Sequence, residues 1–155
     1  MKIVRASIKD LPQIQKLYHM LLGKEKKEYD SSVNLKWAMS KLSARYFKES
    51  ISSKDACVLV ALEDGKIIGY LDGWLIKPPL YRIMNKQAEL GSMFILRKYR
   101  NRKIGRKLVK RFLKWTNDKG ASNAIVRASV PNNNAIELYR KCGFLDHDLI
   151  LETKK

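Results

Sequence analysis

Two apolar runs, Cys57-Val58-Leu59-Val60-Ala61-Leu62 and Ile67 to Ile76, are separated only by Glu63-Asp64-Gly65-Lys66. Asp-Gly between two such runs predicts a β-hairpin, because both residues accept the positive φ that a two-residue turn demands. The hairpin places a sheet in the middle of the chain, and what flanks it must cover that sheet. Lys77-Pro78-Pro79 ends the second strand, since proline cannot continue a ladder.

Residues 2–6 read as a short strand. Ser7 stands three residues before Asp10, ahead of Leu11-Pro12, a capping-box-like helix start with proline in the first turn. Leu11, Ile14, Leu17, Tyr18, Leu21 and Leu22 recur at helical spacing, predicting an amphipathic helix that ends near Gly23 and a charged connection over residues 24–30. A second helix is expected with Leu35, Ala38, Leu42 and Tyr46 on one face, flanked by Trp37 and Phe47. Ala88 to Leu96 reads as strand, Ile104 to Asp118 as a helix closed by Gly120, Ala124 to Val130 as strand, Asn134 to Lys141 as helix, and Phe144 onward as strand. The order is β-α-α-β-β-β-α-β-α-β. Strands alternating with helices in the second half imply parallel pairing, and the first half supplies antiparallel hairpins. The expected fold is α/β: one mixed sheet with helices on both faces, in a single domain spanning residues 1–155.

Of 155 residues, 45% are hydrophobic, enough for a real core, which excludes global disorder. No apolar run approaches the ~20 residues that cross a bilayer, so no membrane partner is expected. The first residues, broken by Lys, Asp and Gln, do not make the apolar core of a signal peptide. Cys57 and Cys142 are distant from each other, and His19 and His147 are isolated, so neither a disulfide framework nor a metal site is expected. The cytoplasm follows as the expected compartment. With 32 Lys+Arg against 15 Asp+Glu the net charge is +17, which speaks of anionic partners rather than of fold.

The position of that charge narrows the choice. Met93 to Leu108 runs from strand through loop into helix, and ten cations with no acid lie within residues 97–114. Unpaired N–H groups and the positive dipole end make such a helix start a phosphate site. The GxxxxGK[ST] and GxGxxG patterns are both absent, which sets aside nucleoside triphosphates and NAD. A long acyl carrier ending in phosphates remains.

Tyr99-Arg100-Asn101-Arg102-Lys103-Ile104-Gly105 resembles the Arg/Gln-x-x-Gly-x-Gly/Ala pyrophosphate loop of the GNAT superfamily of N-acetyltransferases. Arg100 matches the first position and Gly105 the last glycine. Lys103 replaces the first glycine, where a helix-like φ is expected. Asn132 to Phe144, NNNAIELYRKCGF, resembles the family's N-x-x-A-I-x-L-Y-x-K-x-G-F segment. Ile3 to Leu11 and Val60 to Tyr70 are similar to its N-terminal and hairpin regions, so the likeness extends over the chain and is weakest at residues 24–55.

The resemblance implies a mostly antiparallel sheet with a splayed parallel pair, whose opening receives the acyl-pantetheine arm of acetyl-CoA. Met93 and Ile95 would offer main-chain groups to that arm. Arg100, Arg102, Lys103, Ile104, Gly105 and Arg106 would form the pyrophosphate loop, and Asn132 would contact the cosubstrate. Tyr139 matches the usual general acid, and Glu89 is the candidate base, with Asp72 second. The implied reaction moves an acetyl group to a primary amine by direct attack in a ternary complex, without metal. Residues 24–46 and 77–87, which carry acceptor specificity in the family, hold no acid cluster. Acceptors on an anionic scaffold, such as aminoacyl-tRNA or ribosomal complexes, are therefore expected over polycationic ones. The alternative is a non-catalytic module of the same fold that binds nucleic acid or ribosome through its basic face. A monomer or homodimer is expected.

Overall fold

A computed structural model describes residues 1–153. Five strands form one sheet in the order β1-β2-β3-β4-β5: β1 (Lys2–Arg5), β2 (Ala56–Glu63), β3 (Lys66–Ile76), β4 (Gln87–Ile95) and β5 (Asn123–Val126). The first three junctions are antiparallel and β4–β5 is parallel. The turn between β2 and β3 is the two-residue loop read from the sequence, with Asp64 and Gly65 at φ 49° and 74°. The five helices are α1 (Leu11–Glu28), α2 (Leu35–Ala38), α3 (Lys41–Ser52), α4 (Ile104–Asp118) and α5 (Asn133–Arg140). This is the expected mixed sheet with helices on both faces.

Two hydrophobic cores lie on opposite sides of that sheet. Ile14 and Leu17 of α1 and Phe47 of α3 cover Val58, Val60, Tyr70 and Phe94. Ile104, Leu108, Val109 and Phe112 of α4, with Tyr139 of α5, cover Cys57, Leu59, Leu71, Ala88 and Leu90. β2 therefore reads as a continuous apolar run because both of its faces are buried.

One irregularity organises the site. Asp72 pairs with Ser92 but the next residue, Gly73, pairs with Leu90, so Gly91 is an extra residue bulged out of β4. The insertion shifts side-chain parity: Leu90 and Met93, three apart, both face α4, while Ser92 and Phe94 face α1 and α3. Glycine is required there because a Cβ would stand 2.2 Å from Cζ3 of Trp74. Parallel pairing with β5 ends one residue earlier, at Leu90–Val126, so β4 continues from Gly91 to Ile95 with no neighbour on that side. This is the splay implied by the sequence resemblance.

Several boundaries differ from the sequence reading. Helix α1 continues through residues 24–28 because Gly23 needs no positive φ and the residues after it are good helix formers, with Lys24 and Glu28 3.6 Å apart. The second helix is two, broken where Ser40 caps α3 by accepting from Ser43 N–H at 3.0 Å. Its buried face is accordingly rotated: Ser43 and Phe47 are buried while Leu42 is 52% exposed. β5 stops at Val126 rather than Val130, and residues 144–153 form no strand, leaving Leu145, Leu149, Ile150 and Leu151 exposed. No helix of the described residues is long and apolar enough to cross a membrane.

Candidate active site

The gap between β4 and β5 exposes main-chain groups in a defined pattern. Leu96 N–H bonds across to Ile68 O at 3.0 Å. In an antiparallel ladder alternate residues point to alternate sides, so the N–H and C=O of Met93 and Ile95 face the gap. The Ile95 carbonyl is already taken, accepting from Arg100 Nε at 3.0 Å. That leaves both groups of Met93 and the Ile95 N–H directed into the opening. The side chains of Met93 and Ile95 pack against the α4 core, as expected.

Helix α4 starts at the end of this gap. Its first intrahelical bond runs from Lys107 N–H to Lys103 O at 3.1 Å, so the N–H groups of Ile104, Gly105 and Arg106 have no helical acceptor. A Cβ on Gly105 would lie 3.0 Å from Leu138 Cδ2 and 3.4 Å from Ile95 Cδ1, so glycine lets α4, α5 and β4 converge here. Lys103 occupies the left-handed region at φ 60°, ψ 11°. That corrects the helix-like φ expected from sequence and shows why glycine suits the position. A lysine held there is disfavoured by about 1–2 kcal/mol. Lys103→Gly removes that strain but loosens the unfolded chain by up to about 1 kcal/mol. The expected net gain therefore lies between zero and about 2 kcal/mol, read as the shift in urea midpoint.

The basic side chains divide into committed and free. Arg100 ties the loop to β4 and lies over the Phe94 ring, 5.2 Å from its centroid. Arg102 turns away from the helix start to grip Glu63 at the hairpin tip, at 2.7 and 3.0 Å, so what it has at the loop is main chain rather than guanidinium. Asn132 caps α5, its Oδ1 accepting from Ala135 N–H at 3.3 Å, and its amide NH2 remains available. Arg106 is exposed, without an acidic partner among the described residues.

Tyr139 sits on α5, 9% exposed, its ring edge-on to Phe144 at 5.7 Å. Burial, then the negative charge of Glu25, push its phenol up to about 12, so the hydroxyl is a proton-bearing donor at neutral pH. Glu25 belongs to α1, on the other side of the sheet, and accepts from Ser129 Oγ at 3.3 Å. Partial burial is the main reason its carboxyl is raised above the usual range. The sequence reading did not select Glu25; its partner lies 104 residues away. Glu89 is paired with Arg127, just past the end of β5, and its side chain is 16% exposed.

Asp72 lies deeper. It is 2% exposed, accepts from Tyr46 OH at 2.5 Å and from Ser92 Oγ, and Ser92 in turn accepts from Tyr70 OH at 2.7 Å. Desolvation raises its pKa despite those donors. Sealed beneath two side chains, it orders the centre of the sheet. A carboxyl that binds its proton more tightly when folded contributes stability that is present below the unfolded pKa, ~3.9, and lost as pH rises through the folded value. The stability of wild type relative to Asp72→Asn is therefore expected to fall as pH rises from about 4 through the raised folded value, measured by denaturant titration at each pH.

The residues present fit a pantetheine thioester carrying a pyrophosphate: unpaired amides along β4, free N–H groups at the start of α4, and the close approach that Gly105 permits. Among the described residues no group of three His, Cys, Asp or Glu is arranged to hold a metal, and both cysteines are free.

Comparison with known proteins bears on the fold and the family. The mutant BH1408 protein of Bacillus halodurans has the same fold, with TM-score 0.86 and 19% identity over 100% of this chain and 99% of that one. Aminoglycoside N-acetyltransferase AAC(6')-Iy in complex with CoA aligns with TM-score 0.78 and 16% identity, covering 99% and 93%. In sequence, human N-acetyltransferase 8 is 27% identical over 97 residues, 63% of this chain and 42% of that protein. The mouse probable N-acetyltransferase family 8 member 5 is 33% identical over 86 residues, 55% of this chain and 37% of the relative. The matched segments thus span well under half the length of these relatives. The model of the acetyltransferase (GNAT) family matches residues 15–144, from the first helix to the end of the Asn132–Phe144 segment, and the chain belongs to that family.

Proposed function

We propose that the protein transfers an acetyl group from acetyl-CoA to a primary amine by direct attack within a ternary complex. The observation that carries this reading is the opening beyond Leu90–Val126, with unpaired β4 amides at one end and the free α4 N–H groups at the other. Acetyl-CoA supplies the activated thioester. Main-chain N–H groups of Met93 and Ile95 hold the pantetheine arm and the acyl oxygen; such preorganised donors stabilise developing negative charge. The loop from Arg100 to Arg106 holds the pyrophosphate by main chain and by Lys103 and Arg106 side chains, and Asn132 donates from its amide.

An ammonium cannot attack a thioester until it loses a proton, and the departing thiolate gains from receiving one. Tyr139, neutral and desolvated, donates to that sulfur. Two carboxylates flank the opening as proton acceptors. Glu89 is engaged by Arg127, whereas Glu25 has its proton affinity raised by burial, and we assign it the base role. Glu25→Gln is expected to lower kcat/KM by about 10²-fold, the usual contribution of a general base, with flattening of the acidic limb of its pH profile. Glu89→Gln serves as the comparison; flattening in that variant alone would return the role to Glu89.

The loop over residues 77–87 supports a neutral or anion-bearing acceptor, since Lys77, Arg82 and Lys86 lie in it without an acid. The meta-AAC0020 acetyltransferase from a soil metagenomic sample, of the same fold at TM-score 0.72, is in complex with sisomicin, an aminoglycoside, so aminoglycosides belong in the test as the contrasting class. The experiment is CoA release from acetyl-CoA with a panel of amines: aminoglycosides, polyamines, peptide N-termini and aminoacyl-tRNA. Turnover highest with acceptors on an anionic scaffold is the expected result. No CoA release with any amine, together with salt-sensitive RNA binding, would favour the non-catalytic module.

A further inference from the structure

Cations left over by the cosubstrate loop converge elsewhere. Between the β1–β2 edge and the C-terminal half of α4 lies a cavity of about 160 Å³, lined by Arg5, Cys57, Leu59, Arg111, Lys114, Trp115 and Asp118. It shares no residue with the β4–β5 opening. We propose that this cavity is a binding site for a phosphate dianion, free or as a phosphomonoester.

Four observations point there. First, Trp115 and Leu59 give the cavity an apolar wall, and a low-dielectric surround strengthens the pairing of opposite charges. Second, the charge is unbalanced: three cations and one carboxylate line the cavity, leaving two positive charges. Lys114 is matched to Asp118 at 3.2 Å, while Arg111 has no acidic partner among the described residues.

Third, Arg5 is held in place from behind. Its Nη2 donates to Ala56 O at 3.0 Å and toward Ser53 O at 3.5 Å, and a guanidinium has five donors, so the rest are available at a fixed position. Fourth, the floor does not repel an anion: Leu59 is apolar, and burial pushes the Cys57 thiol up to about 11, so it stays protonated. Planar guanidinium forks suit tetrahedral oxyanions. The cavity, partly open to solvent, has room for a phosphate group with a small substituent. The site goes beyond acetyl transfer and stands whether or not that reaction occurs.

The test is a titration of the folded protein at constant ionic strength, following the three tryptophan indole N–H resonances, with Trp115→Phe identifying that of Trp115. Inorganic phosphate, glycerol 3-phosphate, dimethyl phosphate and acetate are the probes. The expected result is a saturable shift of the Trp115 resonance alone with the two dianions. Binding should be at least about tenfold weaker for the monoanions and for Arg111→Gln, whose site is on the surface. Tighter binding of glycerol 3-phosphate identifies a phosphorylated metabolite as the ligand class, and preference for inorganic phosphate identifies free phosphate. A non-saturating shift, an equal response to acetate, or unchanged affinity in Arg111→Gln would overturn the proposal. Acetyltransferase activity is not among the readouts, so failure here and failure of the proposed function remain distinguishable.

Discussion

Tyr139→Phe is expected to lower kcat by about 10²-fold or more, the range in which a positioned general acid contributes, while changing the affinity for acetyl-CoA little. The substitution keeps the ring that lies against Phe144 and removes only the hydroxyl. The pH behaviour separates this role from a packing role. With the phenol pushed up to about 12, wild type keeps its acid through roughly pH 10, so the rate rises with deprotonation of the acceptor and shows no alkaline fall in that interval. In the variant the rate should depend on the basicity of the leaving thiolate, which slower thiol analogues of CoA would reveal. Turnover unchanged at every pH would remove Tyr139 from the mechanism.

Gly105→Leu is expected to weaken acetyl-CoA binding by about tenfold or more, or ~1.4 kcal/mol, and to destabilise the fold by about 1–3 kcal/mol through overpacking. The first added carbon already stands 3.0 Å from Leu138 Cδ2, and the rest of the side chain must enter the face shared by Met93 and Ile95. Displacing Leu138 also moves its neighbour Tyr139, so kcat falls as well. Gly105→Ala grades the effect: its single methyl meets the flexible end of Leu138, which can give way by a few tenths of an ångström. Calorimetric titration with CoA and urea midpoints for both variants are the measurements. Leucine binding CoA as tightly as wild type would mean that the α4 start is not the pyrophosphate site.

What the sequence revealed and what it concealed divide by the range of the interactions involved. The β2–β3 turn, the Asp10-Leu11-Pro12 helix start and the glycine at the start of α4 depend on neighbours within a few residues, and local chemistry exposes them. The break at Ser40 also depends on a local cap, but an apolar pattern that reads equally well through it conceals the cap. Leu42, expected on the apolar face, is exposed for that reason, and Ser43 is buried. Arg102 was read by its place in the loop, whereas Glu63, 39 residues earlier in the chain, takes its guanidinium. Glu25 is brought to Ser129 and Tyr139 only by the tertiary fold. Lys103 presents a further case, in which the motif position was legible but the left-handed backbone was not, because lysine hides a requirement that glycine would advertise. The apolar residues after Phe144 have strand-like composition, yet composition alone does not supply a paired neighbour.

The single extra residue at Gly91 makes β4 unequal in its response to a change of length. Deleting Gly91 itself would remove the bulge and restore simple alternation, leaving Leu90 and Met93 on the α4 face and Ser92 opposite Asp72. The local bend that a bulge adds would go with it, and the strand is then expected to run straighter alongside β5 and narrow the opening. Deleting a residue outside the bulge, such as Phe94, has a different consequence: every side chain beyond it changes face, and Ile95 would leave the α4 core. In engineered recombination with other chains of this fold, crossovers that keep the count of residues from Met93 to Ile95 should therefore survive far more often than those that change it by one. Loss of Gly91, by contrast, should spare the fold and close the opening.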